Sequence, residues 1–147
     1  MLLALALACT GESTSEPSFA YRSDELAAID AVNDVRIGLG LDPLEVEVAI
    51  GPSVRGHSED MQDGVVAFGH DGFDARVDAI SLAIPLTSAG ENVAWNQGYD
   101  DPIPVAVQGW IDSPPHYENI QGDWDRTGIG IATGESGTWF TQIFVAD

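Results

Sequence analysis

Lysine is absent from this chain of 147 residues, and arginine occurs only five times. Against those five cations stand 24 aspartates and glutamates, a formal charge of −19. Phosphate backbones and anionic lipid headgroups are bound by Lys and Arg displacing counterions. The composition therefore excludes nucleic acid as a partner, and any attraction to an anionic membrane surface. No apolar run approaches the 18 or more residues of a membrane span. Cysteine occurs once, at Cys9, so no disulfide can form within the chain. A thiolate zinc site and a cysteine nucleophile inside the fold are excluded with it.

What is present suits one globular domain. Hydrophobic residues make up 44% and aromatics 8%, enough for a real core, while the length is too short for two ordinary domains. The acidic excess keeps the chain soluble but makes its compact state repel itself, and added salt should relieve that repulsion. Complete loss of lysine is what a GC-rich genome or adaptation to salt produces.

The amino terminus reads as an address. Met1 to Ala8 contain only Met, Leu and Ala, and Cys9 follows directly. An apolar run ending in a small residue before cysteine is similar to the end of a bacterial lipoprotein signal, in which the Cys is lipidated. The run is short, and no basic residue precedes it. Thr10 to Ser18 then have the composition of a linker. Residues 1–22 are thus expected to be signal and linker, and residues 23–147 a single folded domain.

Helical spacing begins at Ser23, a candidate cap, with Leu26, Ile29 and Val32 on one face and Gly38 and Gly40 at the end. Leu41-Asp42-Pro43-Leu44 is a turn. A second helix is predicted from Gly51-Pro52, its apolar face reading Ile50, Val54, His57, Met61. After a loop carrying Phe68-Gly69-His70-Asp71-Gly72, a third has Phe73, Val77, Ile80 and Ile84 inward and closes at Pro85. A fourth is capped by Asp101 and stops at Ser113-Pro114-Pro115. The end is β: Gly128 to Ala132, a turn, then Thr138 to Ala146. That last strand is apolar on both faces, with Trp139, Ile143 and Val145 on one and Phe140 and Phe144 on the other. It therefore demands helices on both sides of its sheet.

Chemistry must come from few residues. Of the three histidines, His57 falls on an apolar helix face and reads as a core residue with a hydrogen-bonded ring. His70 lies in a glycine-flanked loop, His116 just past a helix-ending Pro-Pro, and Glu91 at a junction. Two imidazoles and a carboxylate suit either a divalent metal or an acid/base pair, although their separations match no local ligand motif. Gly134-Glu135-Ser136-Gly137 fits a hairpin turn, not a nucleophile elbow. Gly128-Ile129-Gly130 opens no helix and so is no phosphate loop. Asp71 and Asp74 lack the spaced array of a calcium loop.

Taken in order, several segments resemble a known family. They are His57-Ser58-Glu59-Asp60-Met61, Phe68-Gly69-His70, Ala89-Gly90-Glu91-Asn92-Val93-Ala94, Trp110 to Ile120 with its Ser113-Pro114-Pro115-His116, Gly128-Ile129-Gly130 and Trp139 to Phe144. Together they are similar to the bacterial SCP-like branch of the CAP superfamily, the cysteine-rich secretory, antigen 5 and pathogenesis-related proteins. The match runs from about Leu26 to Val145. The resemblance implies an α+β fold, an α-β-α sandwich with a central antiparallel sheet, and secretion or surface display. It implies a cavity lined by His70, Glu91 and His116, with Asp112 as the second acid. Eukaryotic members' cysteines and their His-Tyr-Thr-Gln motif are missing here, so packing must replace the disulfides.

The resemblance brings no single reaction with it. The reading preferred is a secreted or surface-anchored binding module whose cavity takes a small molecule, lipid, peptide or divalent metal. Zinc or another divalent cation would be held by His70 and His116 with Glu91, and membrane contact would come only through a lipidated Cys9. The alternative is a metal-dependent, protease-like hydrolase using His70, Glu91 and His116. A third reading is an envelope-structural protein with a vestigial cavity.

Overall fold

The computed structural model describes residues 18–147. Cys9 and the apolar run before it lie outside the described residues. The described chain runs α1 (Ser23–Gly38), β1 (Glu45–Val46), a short 3-10 helix (Val48–Ile50), α2 (Gly51–Gln62), α3 (Phe73–Ser81), β2 (Ser88–Asn96), α4 (Pro102–Ile111), α5 (Pro114–Gln121), β3 (Arg126–Gly134) and β4 (Gly137–Ala146).

The strands form one sheet in the order β1-β3-β4-β2. β4 pairs antiparallel with both β3 and β2, while β1 pairs parallel with β3 through Glu45↔Arg126 and Val46↔Thr127. The antiparallel sheet expected is therefore mixed at one edge, where the chain leaves its turn alongside β3.

The two-faced β4 organises the layers. Phe140 and Phe144 meet Ile29 and Val32 of α1, Trp110 of α4 and Ile120 of α5. On the opposite face Ile143 and Val145 meet Ile50, Val54 and Ile80, and Trp139 meets Met61 and Val93. Each large apolar side chain fully removed from water contributes about 1.5–3 kcal/mol, so this one strand anchors both helical layers. β3 carries Ile129 and Ile131 toward the first layer and glycines toward the second. A methyl group on Gly130 would overlap the backbone of Val54 and Arg55. The alternating Gly-Ile pattern thus lets α2 lie directly on the sheet.

Several boundaries differ from the sequence expectation. Ser23 is the first helical residue, not the cap: Glu25 Oε2 instead accepts the Arg22 backbone N–H at 2.8 Å. Phe19 to Arg22, expected in the linker, pack on the domain, where the Tyr21 hydroxyl donates to Glu47 O at 2.8 Å and the Arg55 guanidinium sits 4.1 Å from the Phe19 ring centre. α3 stops at Ser81, short of Pro85. Four elements were not anticipated: β1, the short 3-10 helix, β2 and α5. Segment 88–96 is a full strand, and Pro114-Pro115 open α5, since proline in a first turn sacrifices only N–H groups that lack helical partners anyway. Asp101 does cap α4, accepting from Ile103 N at 3.3 Å.

β2 is an edge strand, and side chains close its open side. Trp110 Nε1 donates to Val93 O at 2.9 Å and Asn119 Nδ2 to Glu91 O at 3.1 Å. The loop of residues 63–72 returns past this edge between Gly64 (φ 70°) and Gly72 (φ 79°), left-handed positions suited to glycine.

Candidate functional site: a histidine-lined cleft at the sheet edge

Glu91 projects from β2 on the same side as Ala89 and Val93, toward α2 and α3. Opposite it, Arg76 shares the inward stripe of α3 with Phe73 and Ile80. The two side chains form a two-pronged pair, Nε to Oε2 and Nη2 to Oε1, each 2.8 Å. Glu91 is almost wholly buried, its side chain 2% exposed, and the guanidinium supplies the charge that such burial demands. Its Oε1 also faces His70 Nδ1 at 2.9 Å. A carboxylate can only accept, so Nδ1 carries the ring proton and the lone pair of Nε2 is the one that faces outward.

His116 reaches the same place from the first turn of α5. That helix is pinned to β2 by a polar clasp: Asn92 Nδ2 donates to His116 O at 3.0 Å, and Asn119 Nδ2 to Asn92 Oδ1 at 2.9 Å. The His70 and His116 rings stand 6.1 Å apart, tilted 41°. Burial, and then the neighbouring His70, push the His116 pKa below the ordinary imidazole value, which favours the neutral ring. Between the rings opens a cleft of about 500 Å³ lined by His70, Phe73, Glu91, Pro115, His116 and Asn119. A narrower groove of about 250 Å³ continues past His116 along β2 to Trp110 and Phe68. A larger depression, about 560 Å³, lies elsewhere beside Asp42, Asp123 and Trp124 and brings no imidazole together.

His70, Glu91 and His116, 21 or more residues apart in sequence, thus line one cleft. Asp112 does not join them. It caps the end of α4 and accepts from Gln108 Nε2 at 2.9 Å, beside a separate surface depression. The helix explains this: residues two apart point away from each other, so with Trp110 buried Asp112 turns outward. His57 is buried on α2, as its apolar face implied, and is not part of the lining. It is nonetheless connected to the site, because Arg76 Nη1 donates to His57 Nδ1 at 3.2 Å. Arg76 is the residue that sequence reasoning missed. Its signal was the rarity of cations together with a position on the inward stripe of a helix, where an arginine requires a buried acid.

The donor set fits a metal only in part. Both oxygens of Glu91 are already engaged, and among the described residues no group of three or more His, Cys, Asp or Glu side chains is arranged to hold an ion. Two imidazoles remain, one oriented by a carboxylate as metal-ligating histidines commonly are.

A three-layer domain with paired histidines and an acid at its sheet edge defines a class, and comparison with known proteins gives it a name. Residues 29–144 match the model of the CAP family, described as the cysteine-rich secretory protein family, and the chain belongs to that family. It is 32% identical over 139 residues to the uncharacterized protein YkwD of Bacillus subtilis, covering 92% of this chain and 52% of that protein. The uncharacterized membrane protein YlbC of the same organism is 30% identical over 84% of this chain and 34% of its own length. The chain therefore spans about half or less of the curated relatives it matches. Among solved structures, an extracellular SCP-domain protein of Bacillus anthracis superposes with a TM-score of 0.68 at 25% identity, covering 84% of this chain and 40% of that one. An outer surface protein of Borrelia burgdorferi, 17% identical, reaches 0.69 over 85% of this chain and 93% of its own and shares the fold.

Proposed function

We propose that this CAP domain is an extracellular or cell-envelope binding module whose cleft takes its ligand through the imidazoles of His70 and His116. The observation that carries this reading is the engagement of Glu91. With both its oxygens bound by Arg76 and His70, the cleft offers two imidazoles but neither a spare carboxylate nor an evident nucleophile. Glu91 then acts as the orienting partner of His70 and not as a ligand itself. A divalent cation such as zinc would be held by His70 and His116, with the remaining positions left to water or to a ligand bearing oxygen or nitrogen donors. Such an ion would supply Lewis acidity to whatever fills those positions.

The extracellular character of the solved Bacillus anthracis neighbour supports an address outside the cytoplasm. Tethering through a lipidated Cys9 would place the domain at the envelope without nucleic-acid or direct membrane contact. The hydrolase reading is second, favoured by the His70–Glu91 hydrogen bond, which orients an imidazole as a general base requires. Zinc titration by calorimetry tests the first reading. The wild type should bind with heat release and the His70→Ala/His116→Ala double variant should not. Equal uptake by both would reject the imidazole site, and turnover of peptide or ester substrates by the zinc-loaded wild type alone would favour the hydrolase.

A further inference from the structure

Arg36 differs from the other four arginines. Arg22, Arg55, Arg76 and Arg126 each pair with a carboxylate. Arg36 is only 3% exposed, yet no carboxylate among the described residues lies within ion-pair distance of it. Arginine is seldom buried so completely without an anionic partner. Main-chain oxygens alone hold this guanidinium. Nε donates to Asp42 O at 2.9 Å, and Nη1 to Ile120 O at 2.7 Å and to Gly122 O at 2.9 Å. These bonds clasp the turn after α1 to the end of α5, and they engage Nε and Nη1 only. The two N–H groups of Nη2 have no partner among the described residues.

The guanidinium borders the depression of about 560 Å³ that is lined also by Asp42, Glu45, Asp123, Trp124 and Asp125. Burial lowers the Arg36 pKa, while the charges of Asp123 and Asp42 oppose that lowering from beyond contact distance. Asp42, Glu45 and Asp123 are exposed, and among the described residues none of them enters an ion pair. Asp125 Oδ2 accepts the Asp147 backbone N–H at 2.8 Å, and the Asp147 side chain is itself paired with Arg126. Trp124 is held rigidly. Its ring stacks on Phe144, 6.0 Å between centres and tilted 29°, and its Nε1 donates to Asn119 O at 2.7 Å. A methyl group on Gly122 would overlap the indole, so the turn packs directly on that ring.

Charge decides what such a place selects. Nη2 requires an oxygen acceptor. One cation facing four carboxylates leaves the depression negative, however, so a bare anion is repelled. The carboxylates call for N–H donors, and an indole favours a cation at its face. Among the described residues the acids are not arranged to hold a metal ion, which leaves an organic cation that also carries an acceptor oxygen.

We propose that this depression is a second ligand site, for a basic α-amino acid, free or at the carboxyl end of a peptide. The ligand's carboxylate meets Arg36 Nη2, and its cationic side chain lies against Trp124 among the Asp42, Glu45 and Asp123 carboxylates. The site shares no lining residue with the His70–His116 cleft and does not rest on the reading given to that cleft.

NMR titration of the isotope-labelled full chain tests the site. L-Lysine or alanyl-lysine should saturably shift the Trp124 indole N–H and the amides of residues 41–45 and 121–125. Tighter binding of the first identifies the source as the free amino acid, and tighter binding of the second as a peptide end. L-Lysinamide keeps the ammonium groups without the carboxylate, and L-glutamate keeps the carboxylate without the basic side chain. Each should bind roughly tenfold or more weakly, since each gives up a charge-assisted contact. Arg36 also clasps two turns, so this comparison reads its role without a variant that could fail to fold. Asp42→Asn/Asp123→Asn alters two exposed side chains and should weaken lysine binding roughly fivefold, its amide spectrum reporting an unchanged fold. Absence of saturable shifts, shifts confined to other residues, lysinamide or glutamate binding as tightly as lysine, or full affinity in the double variant would each overturn the site.

Discussion

Arg76 and Glu91 meet through two parallel hydrogen bonds of 2.8 Å across the gap between α3 and the edge strand. The pair does two jobs: it neutralises a carboxylate inside the fold, and it presents that carboxylate to His70 in a fixed orientation. Replacing Arg76 by Met should destabilise the domain by about 3–5 kcal/mol, because it strands a buried negative charge. The double variant Arg76→Met/Glu91→Leu should recover most of that loss. Denaturant unfolding of the four proteins in the cycle measures the coupling, and additive losses would mean that the two residues act independently.

His116 should titrate below the ordinary imidazole value of about 6.5, since burial and the neighbouring His70 both disfavour its charge. The folded state then binds this proton more weakly than the unfolded chain. The resulting stability is complete above the unfolded value and lost as the pH falls toward the folded one. Carbon-resolved NMR titration of the ring gives the midpoint directly, and His70→Ala should raise it by removing the secondary cause. A midpoint at or above the ordinary value would contradict the burial seen for this ring.

Glu25 should be a main acid-labile point. It is fully buried at the start of α1 and accepts from Arg55 Nε at 2.8 Å, from the Arg22 backbone at 2.8 Å and from Ile131 N at 3.3 Å. Burial alone would raise its pKa, but these donors outweigh it and hold the carboxyl below the usual range. The stabilisation it contributes is therefore present above the unfolded value of about 4.3 and disappears as the pH drops through the folded one. Glu25→Gln should be less stable than wild type near neutrality, with the difference shrinking in acid. A difference independent of pH would assign the effect to packing.

Thermal stability should rise with salt. All five arginines are paired with acceptors of the fold and only Arg22 stays half exposed, so the outer surface is left largely to carboxylates that repel one another. Roughly 1 M salt shrinks the screening length to about 3 Å, which relieves that repulsion but weakens the buried Glu25 and Glu91 pairs much less. Calorimetric midpoints between low and high salt check this. A flat or falling midpoint would show that the arginine pairs, not the surface repulsion, dominate.

The parts of the fold visible in the sequence were those written in periodicity. β4 announced both helical layers through alternating Trp139, Phe140, Ile143 and Phe144, and these residues do meet helices on opposite faces. α5 stayed hidden because Pro114-Pro115 signals a stop and a start in the same letters, and only the packing of Ile120 into the core decides between them. β2 was obscured because its segment sets Gly90 beside Glu91 and Asn92, two polar residues whose partners arrive from α3 and α5. The site showed the same division. His70, Glu91 and His116 sit in short ordered motifs, whereas Arg76 has meaning only once α3 is laid against the sheet. Asp112 was misplaced because nearness to Trp110 in sequence says nothing about direction around a helix turn.

The engagement of every arginine has a consequence for survival among digestive enzymes. Trypsin-like proteases cut only after lysine or arginine, and this chain has no lysine. Each of its five cleavage positions is an arginine whose side chain is already tied to a carboxylate or a main-chain oxygen of the fold. Four of them are largely buried as well, so such an enzyme meets only the half-exposed Arg22 on the native protein and must wait for a segment to open before it can cut at the others.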